Sequence, residues 1–384
     1  MIIYICIFLL STISTYIAEF NIKKKKKNFP LFIISSIVAI LFPVLLATFR
    51  DPGVGTDTLG YVQEVWNQFT RLGNINNILY AYQNGEFYDF EIVYLLINAI
   101  AIIFGNDIHW LYFITSLFII LPIYIAIYNN RHRAPMWIGM IFFLLLYYNY
   151  SLNMVRQSVA LAFCIYSFKY VEQKKWIKLF IWLLIIINTH NTGIFYLLFI
   201  AIYLISYIPS KYLKNILLFI SYFSIILIFS AFDFLLIISV SWGIISDKYL
   251  IYLTNNNQTD LDLTTTIEYL FIILISYISL QILRKKIIQY NEVNNYIKYE
   301  FLGTLLFCAA LISQWAFRLS FYFNYPIDCL FLPRMFMLVK CRSKSLYQLL
   351  LLITIGFLLL VWYWTTVVTK VNEVYPYKSE LLGI

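Results

Sequence analysis

Runs of about 17–22 apolar residues recur along this chain, each the length an α-helix needs to cross a bilayer. They lie near 2–20, 30–48, 109–128, 135–150, 155–171, 176–189, 192–208, 214–231, 266–283, 298–314, 319–338 and 346–368. Lipid offers no water to a bare backbone, so a spanning chain must be helical or close into a barrel. Strict period-2 alternation is missing, which argues against the barrel. Of the 384 residues, 62% are hydrophobic and only 12% are charged. The mean hydropathy is +0.78, more apolar surface than a soluble fold can hide. The expected fold is an all-α, polytopic integral membrane protein of about 12 spans, forming one transmembrane domain over 1–384. The first run has no basic n-region and no small-residue cleavage site, so it reads as a retained helix.

Charge sets the orientation. Lys23 to Lys27, Arg131 and Arg133, Lys174 and Lys175, Lys211 and Lys214, Arg284 to Lys286, and Lys340, Arg342 and Lys344 fall on one side of the twelve-run scheme. Basic short loops mark the cytoplasmic face. Acids collect on the other side: Asp51, Asp57, Glu64, Glu86, Asp89, Glu91, Asp247, Asp260 and Asp262. Both termini are then expected outside. The net charge of +9 is explained by these loops and implies no nucleic-acid partner.

Two apolar stretches are too short for this scheme. Residues 91–104 and 234–246 would invert the basic loops if counted as spans, so they read as interfacial or re-entrant helices. The first external loop, 50–108, therefore carries interfacial helices, and a second external loop covers 247–265. Within the first, Val62, Val65, Trp66, Phe69 and Leu72 share one helical face, suited to lying on the bilayer.

The polar residues at the edges of the apolar runs are the candidates for chemistry. A charge at the bilayer centre costs about 2.5–3.5 kcal/mol on insertion scales, so such residues tend to have a function. Arg50, Asp57, Arg156, His190 and Arg318 all sit at or just past the end of a run, on the external side. Arg50 to Thr58 forms a Pro/Gly-rich turn leading into a helix, whose free N–H groups suit an anion; equally, Asp57 or Thr58 is an N-cap and Arg50 an interfacial anchor. Asn153, Arg156, Gln157 and Ala160 are spaced to share one helical face. Arg156 offers a planar five-donor fork for phosphate, or a side chain that snorkels to headgroups. His190, in a turn with Asn188 and Thr192, has the chemistry of a general base or a proton-sharing donor, the plainer alternative being a turn histidine with no special role. Gln314, Trp315, Arg318 and Tyr322 join two later runs, where an anchoring Arg–Trp pair is the plainer alternative. The five cysteines lack CxxC spacing, and His109 and His132 stand apart from His190, so no metal site, disulfide frame or cofactor is expected.

Residues 50–61, RDPGVGTDTLGY, resemble the first signature of the EpsG/Wzy-type bacterial polysaccharide polymerases, and 153–163, NMVRQSVALAF, resembles their second. Thr189-His190 resembles the third, with Thr192 where that family usually has Ser; Arg318, Tyr322-Phe323 and Pro376-Tyr377 resemble the C-terminal pattern. The layout is also similar to the GT-C class of lipid-dependent glycosyltransferases. The resemblance implies a multi-pass protein of the bacterial inner membrane with its site facing outside. It would join undecaprenyl-pyrophosphate-linked oligosaccharide repeats, as donor and acceptor, into capsule, O-antigen or exopolysaccharide. A flippase and a chain-length regulator would be its protein partners, with the lipid bilayer around it. Arg156, Arg318 and Arg50 would hold pyrophosphate, His190 or Asp57 would be the base, and Gln157, Asn153, Tyr61 and Tyr322 would position substrate. A flippase of lipid-linked sugars and an O-antigen ligase are the alternatives. The clustering of polar residues on one face disfavours the flippase, which needs them near the midplane.

Overall fold

The computed structural model describes residues 1–24, 27–230, 232–243, 250, 263–284, 287–308 and 316–384. Among these every regular element is helical. In chain order they are α1 (Ile2–Lys23), α2 (Phe29–Thr48), α3 (Gln63–Leu72), α4 (Ile75–Gln83), α5 (Ile92–Ile102), α6 (Ile108–Asn129), α7 (Met136–Leu146), α8 (Tyr148–Asn153), α9 (Val155–Glu172) and α10 (Trp176–Ile187). Then come α11 (Phe195–Ile205), α12 (Lys211–Ser230), α13 (Phe232–Ser241), α14 (Leu263–Leu283), α15 (Ile287–Cys308), α16 (Phe321–Pro326), α17 (Leu332–Arg342) and α18 (Lys344–Tyr363). Five helices among the described residues are long and apolar enough to cross a membrane: Ile2–Lys23, Phe29–Thr48, Ile108–Asn129, Thr266–Leu283 and Lys344–Val368. α2 leaves Leu31, Ile33, Ile34 and Ile37 exposed, an apolar face that suits lipid.

The chain divides into two compact units, Met1–Gly193 with Asp328–Ile384, and Ile194–Ile327. In the first, α1 packs on α2 and α7, α2 on α6, and α6 on α9. In the second, α14 packs on α15, and α15 on the turn at Ala316–Ser320 and on α16.

The first unit has two chemically distinct ends. At one, Arg334 donates to Asn130 Oδ1 at 2.6 Å and to both oxygens of Glu172, at 2.8 and 3.2 Å. Arg133 reaches Glu172 at 2.5 Å, and Asn130 Nδ2 donates to the Leu330 carbonyl at 3.1 Å. Glu19 accepts from the Met136 amide at 2.7 Å and from Lys23 at 2.5 Å. These bonds tie the C-terminal ends of α1, α6 and α9 to the start of α7 and to α17. They are the ends that carry the basic loops. Arg334 is 5% exposed, and a forked guanidinium with its carboxylate meets the requirement that a buried charge be paired and hydrogen-bonded.

At the opposite end, the C-terminal tail straps the loop after α2. Asp51 N–H donates to the Lys378 carbonyl at 3.0 Å and Gly55 N–H to the Glu373 carbonyl at 3.2 Å. Glu380 N–H returns a bond to Asp51 Oδ1 at 2.8 Å. Tyr4 donates to the Val374 carbonyl at 2.8 Å and Tyr377 to the Leu46 carbonyl at 2.9 Å.

Several expectations need correction. The stripe Val62, Val65, Trp66 and Phe69 is buried within the protein, with α3 against α5 and α6 and Phe69 on Phe87 at 5.1 Å between ring centroids, so it does not serve as a bilayer-facing surface. The run at 319–338 is broken into a 3-10 turn, α16, a π-helical stretch Ile327–Phe331 and α17, with Pro326 and Pro333 inside it. The helix expected over 298–314 begins instead at Ile287, because the polar segment ahead of it contains no Gly or Pro to stop it. No correction attaches to 91–104, read as interfacial or re-entrant: α5 there spans only 11 residues, about 16 Å of rise, against about 30 Å of hydrocarbon. The second external loop, 247–265, lies largely outside the described residues, as do Gln314 and Trp315.

Gly55 has φ +94°, and a Cβ there would stand 2.6 Å from the Leu152 carbonyl oxygen, a backbone atom that cannot swing away. Gly85 has φ +81° with open space around it. A left-handed conformation costs an L-residue about 1–2 kcal/mol. Gly55→Ala should therefore lower the melting temperature of the purified protein well beyond Gly85→Ala; equal shifts would show that the Gly55–Leu152 approach is not a constraint.

Candidate functional site

The expected face through Asn153, Arg156, Gln157 and Ala160 is not continuous. Met154 (φ −82°, ψ 65°) breaks the helix, so Asn153 ends α8 while Arg156 and Gln157 lie in the first turn of α9. The break turns the Asn153 amide onto the first signature. Its Oδ1 accepts from the Thr56 hydroxyl at 2.6 Å and from the Asp57 N–H at 2.9 Å. Thr58 tightens the same turn, donating to the Gly55 carbonyl at 2.5 Å and accepting from the Gly53 N–H at 2.9 Å. Asp57 is thereby anchored through its backbone beside the start of α9, and its side chain makes no N-cap bond to the stretch that follows.

Arg156 lies in an aromatic cage. Its guanidinium carbon is 4.4 Å from the Tyr61 ring centroid, 5.1 Å from Phe90 and 5.7 Å from Tyr94. The rings pack on one another at 6.0–6.2 Å. Such contacts hold a cation without neutralising it. Burial, followed by the nearby Asp57 carboxylate, pushes the Tyr61 hydroxyl well above its ordinary pKa, so it remains a protonated donor. Gln157 is buried at the start of the same helix.

Glu91 is the residue that reading along the chain did not single out. It stands at the N-cap of α5 but does not cap it. Its Oε2 accepts from Arg156 Nη1 at 2.7 Å and its Oε1 from the Asn191 N–H at 3.2 Å. Val93 N–H adds a bond to the Asn188 carbonyl at 3.0 Å. The start of α5 thus stitches the turn holding His190 to Arg156. A carboxylate opening a short apolar helix after Phe90, in a loop rich in aromatics, was the signal available.

The geometry around His190 points to one tautomer. The Thr192 N–H donates to its Nδ1 at 3.3 Å, and the Thr192 hydroxyl is 2.7 Å from the same nitrogen. A fixed N–H donor requires a lone pair at Nδ1, so the hydroxyl also donates there and the neutral ring carries its proton on Nε2. Thr192 supplies the hydroxyl as Ser would.

Arg50 is placed differently from the other cations. It is 2% exposed, with its guanidinium 4.7 Å from the Tyr112 centroid and Tyr4, Tyr148 and Tyr377 around it. Among the described residues its Nε and Nη1 have no hydrogen-bond partner. It is sealed beneath the strapped loop and is not part of the Arg156 cage. Arg318, half-buried in the Ala316–Ser320 turn, and Tyr322, fully buried in α16, belong to the second unit. Among the described residues no group of His, Cys, Asp or Glu could hold a metal ion.

Nitrogen NMR of histidine-labelled protein at about pH 8, above the usual histidine range, should find His190 protonated at Nε2 in the wild type and in Thr192→Ser. A proton on Nδ1 would contradict the assignment.

No curated protein and no solved structure matches the chain. The family model for the EpsG family matches residues 33–379, which takes in both signatures, the Arg156 cage, the His190 turn and most of the C-terminal strap. The chain belongs to the EpsG family.

Proposed function

We propose that this protein polymerises undecaprenyl-pyrophosphate-linked oligosaccharide repeats into surface polysaccharide at the outer face of the bacterial inner membrane. Family membership supports a membrane function in polysaccharide biosynthesis. The observation that carries the finer reading is the meeting, at one end of the first unit, of a caged arginine, an anchored aspartate and a histidine of fixed tautomer. That end is opposite the one bearing the basic loops, so the charge rule assigns it to the outside. About 12 spans, with the short α5 at the interface, remain our topology.

In the proposed reaction an acceptor hydroxyl oxygen attacks the anomeric carbon of the donor. The new C–O bond forms as the bond to pyrophosphate breaks. The electron pair departs on undecaprenyl pyrophosphate, and the hydroxyl proton passes to a base. Arg156 stabilises the charge that grows on the leaving group, where donors already in place are worth most. Arg318 is assigned as a second cation on the strength of the resemblance. The Nε2–H of neutral His190 cannot accept a proton, so we assign the base to Asp57 and make His190 a hydrogen-bond donor. Tyr61, Asn153 and Gln157 position substrate or the residues that touch it. We assign Arg50 to holding the first signature, because it is enclosed by tyrosines.

The test is the length of surface polysaccharide made by variants present at normal level. Arg156→Ala should leave single repeats reachable from outside and no long chains. Arg156→Lys should also be poor, because a point charge does not replace the fork. Asp57→Asn should cost about 10²–10⁴-fold in rate. His190→Gln, which keeps an N–H donor, should outperform His190→Ala. Repeats trapped inside would favour a flippase. Full-length chains from both Asp57→Asn and Arg156→Lys would remove these residues from the mechanism.

A further inference from the structure

The two donors that Glu91 engages are a guanidinium N–H of Arg156 and the backbone N–H of Asn191. Both are groups that bind phosphate oxygens well. The Glu91 side chain is 8% exposed and that of Arg156 18%, so the pair is largely shielded from water and its attraction is little screened. The guanidinium also contacts aromatic rings, and among the described residues its ion pair is with Glu91. Among the described residues Arg156 Nε is buried without a hydrogen-bond partner, so Glu91 satisfies only part of the fork. A diphosphate approaching this fork therefore meets a carboxylate already bound to it.

We propose that Glu91 is a positioning residue that holds Arg156 and the His190 turn between turnovers and competes with the pyrophosphate for them. Resting on the lipid-pyrophosphate reading above, it gives the site a reason to release its product. An uncompensated arginine in an aromatic cage would retain the leaving diphosphate. With Glu91 present, its carboxylate returns to Nη1 and to the Asn191 N–H as the diphosphate departs. Removing the charge while keeping the shape should thus tighten product binding and slow turnover together. A purely architectural residue would weaken both.

The experiment measures binding of inorganic pyrophosphate, with orthophosphate as control, to the purified full chain in detergent. Glu91→Gln should bind pyrophosphate roughly 10- to 100-fold more tightly than wild type, the worth of one charge-assisted hydrogen bond. Arg156→Ala in the same background should abolish the gain. On wild-type protein, which makes the test independent of variant folding, pyrophosphate should increase carbodiimide labelling of Glu91. Arg156-dependent binding that Glu91→Gln leaves unchanged or weakens, with no change in labelling, would overturn the role of Glu91 and leave the lipid-pyrophosphate reading standing. Absence of any Arg156-dependent binding in either protein would defeat that reading and this inference together.

Discussion

The Asn153 side-chain oxygen accepts two hydrogen bonds from the loop that follows α2, and the candidate site is assembled around that junction. Asn153 reaches the loop only because the helix breaks at Met154. The same break starts α9 afresh, with Arg156 in its first turn. One local interruption thereby joins segments about a hundred residues apart in sequence and fixes where Asp57 stands relative to the arginine. Gly55 permits the approach because no side chain intervenes between its backbone and the Leu152 carbonyl. The tail from Glu373 to Glu380 closes the loop from the other side.

Burying charge inside an apolar bundle is unfavourable unless each charge is answered, and the first unit answers its charges in three ways. Arg334 is matched with Glu172 and Asn130, which pairs its buried charge and binds three helix ends together. Breaking such a buried pair typically costs about 3–5 kcal/mol. Arg50 is met, among the described residues, by tyrosine side chains. Arg156 receives both a cage and a carboxylate. The first arrangement is fully satisfied and suits a permanent joint. The last leaves a donor over and sits at the opposite end of the bundle, which is why chemistry is assigned there and not to Arg334.

Much of this was legible along the chain. Helical membrane character follows from the apolar runs, and Asp57, Arg156 and His190 stand out because each lies at or just past the end of such a run. The partners of these residues were not legible. Glu91 lies 65 positions from Arg156, and its place at the start of a short apolar helix does not say which cation it meets. The break at Met154 is invisible to periodicity, since i, i+3 and i+4 spacing runs straight through it. Arg334 was concealed by treating 319–338 as one uniform span, although an arginine inside an apolar stretch is itself a warning that a partner exists. The apolar stripe of α3 was read correctly as a stripe, but a stripe does not say whether lipid or protein covers it.

The central claim is that this membrane unit itself transfers glycan from lipid pyrophosphate. Its most direct test places the purified protein in proteoliposomes with a lipid-linked repeat unit as the only sugar source, and follows glycan length and free undecaprenyl pyrophosphate together. The account predicts chain growth with one lipid pyrophosphate released per linkage, and neither with Arg156→Ala. Movement of intact lipid-linked repeats across the bilayer, with no elongation and no released pyrophosphate, would contradict it.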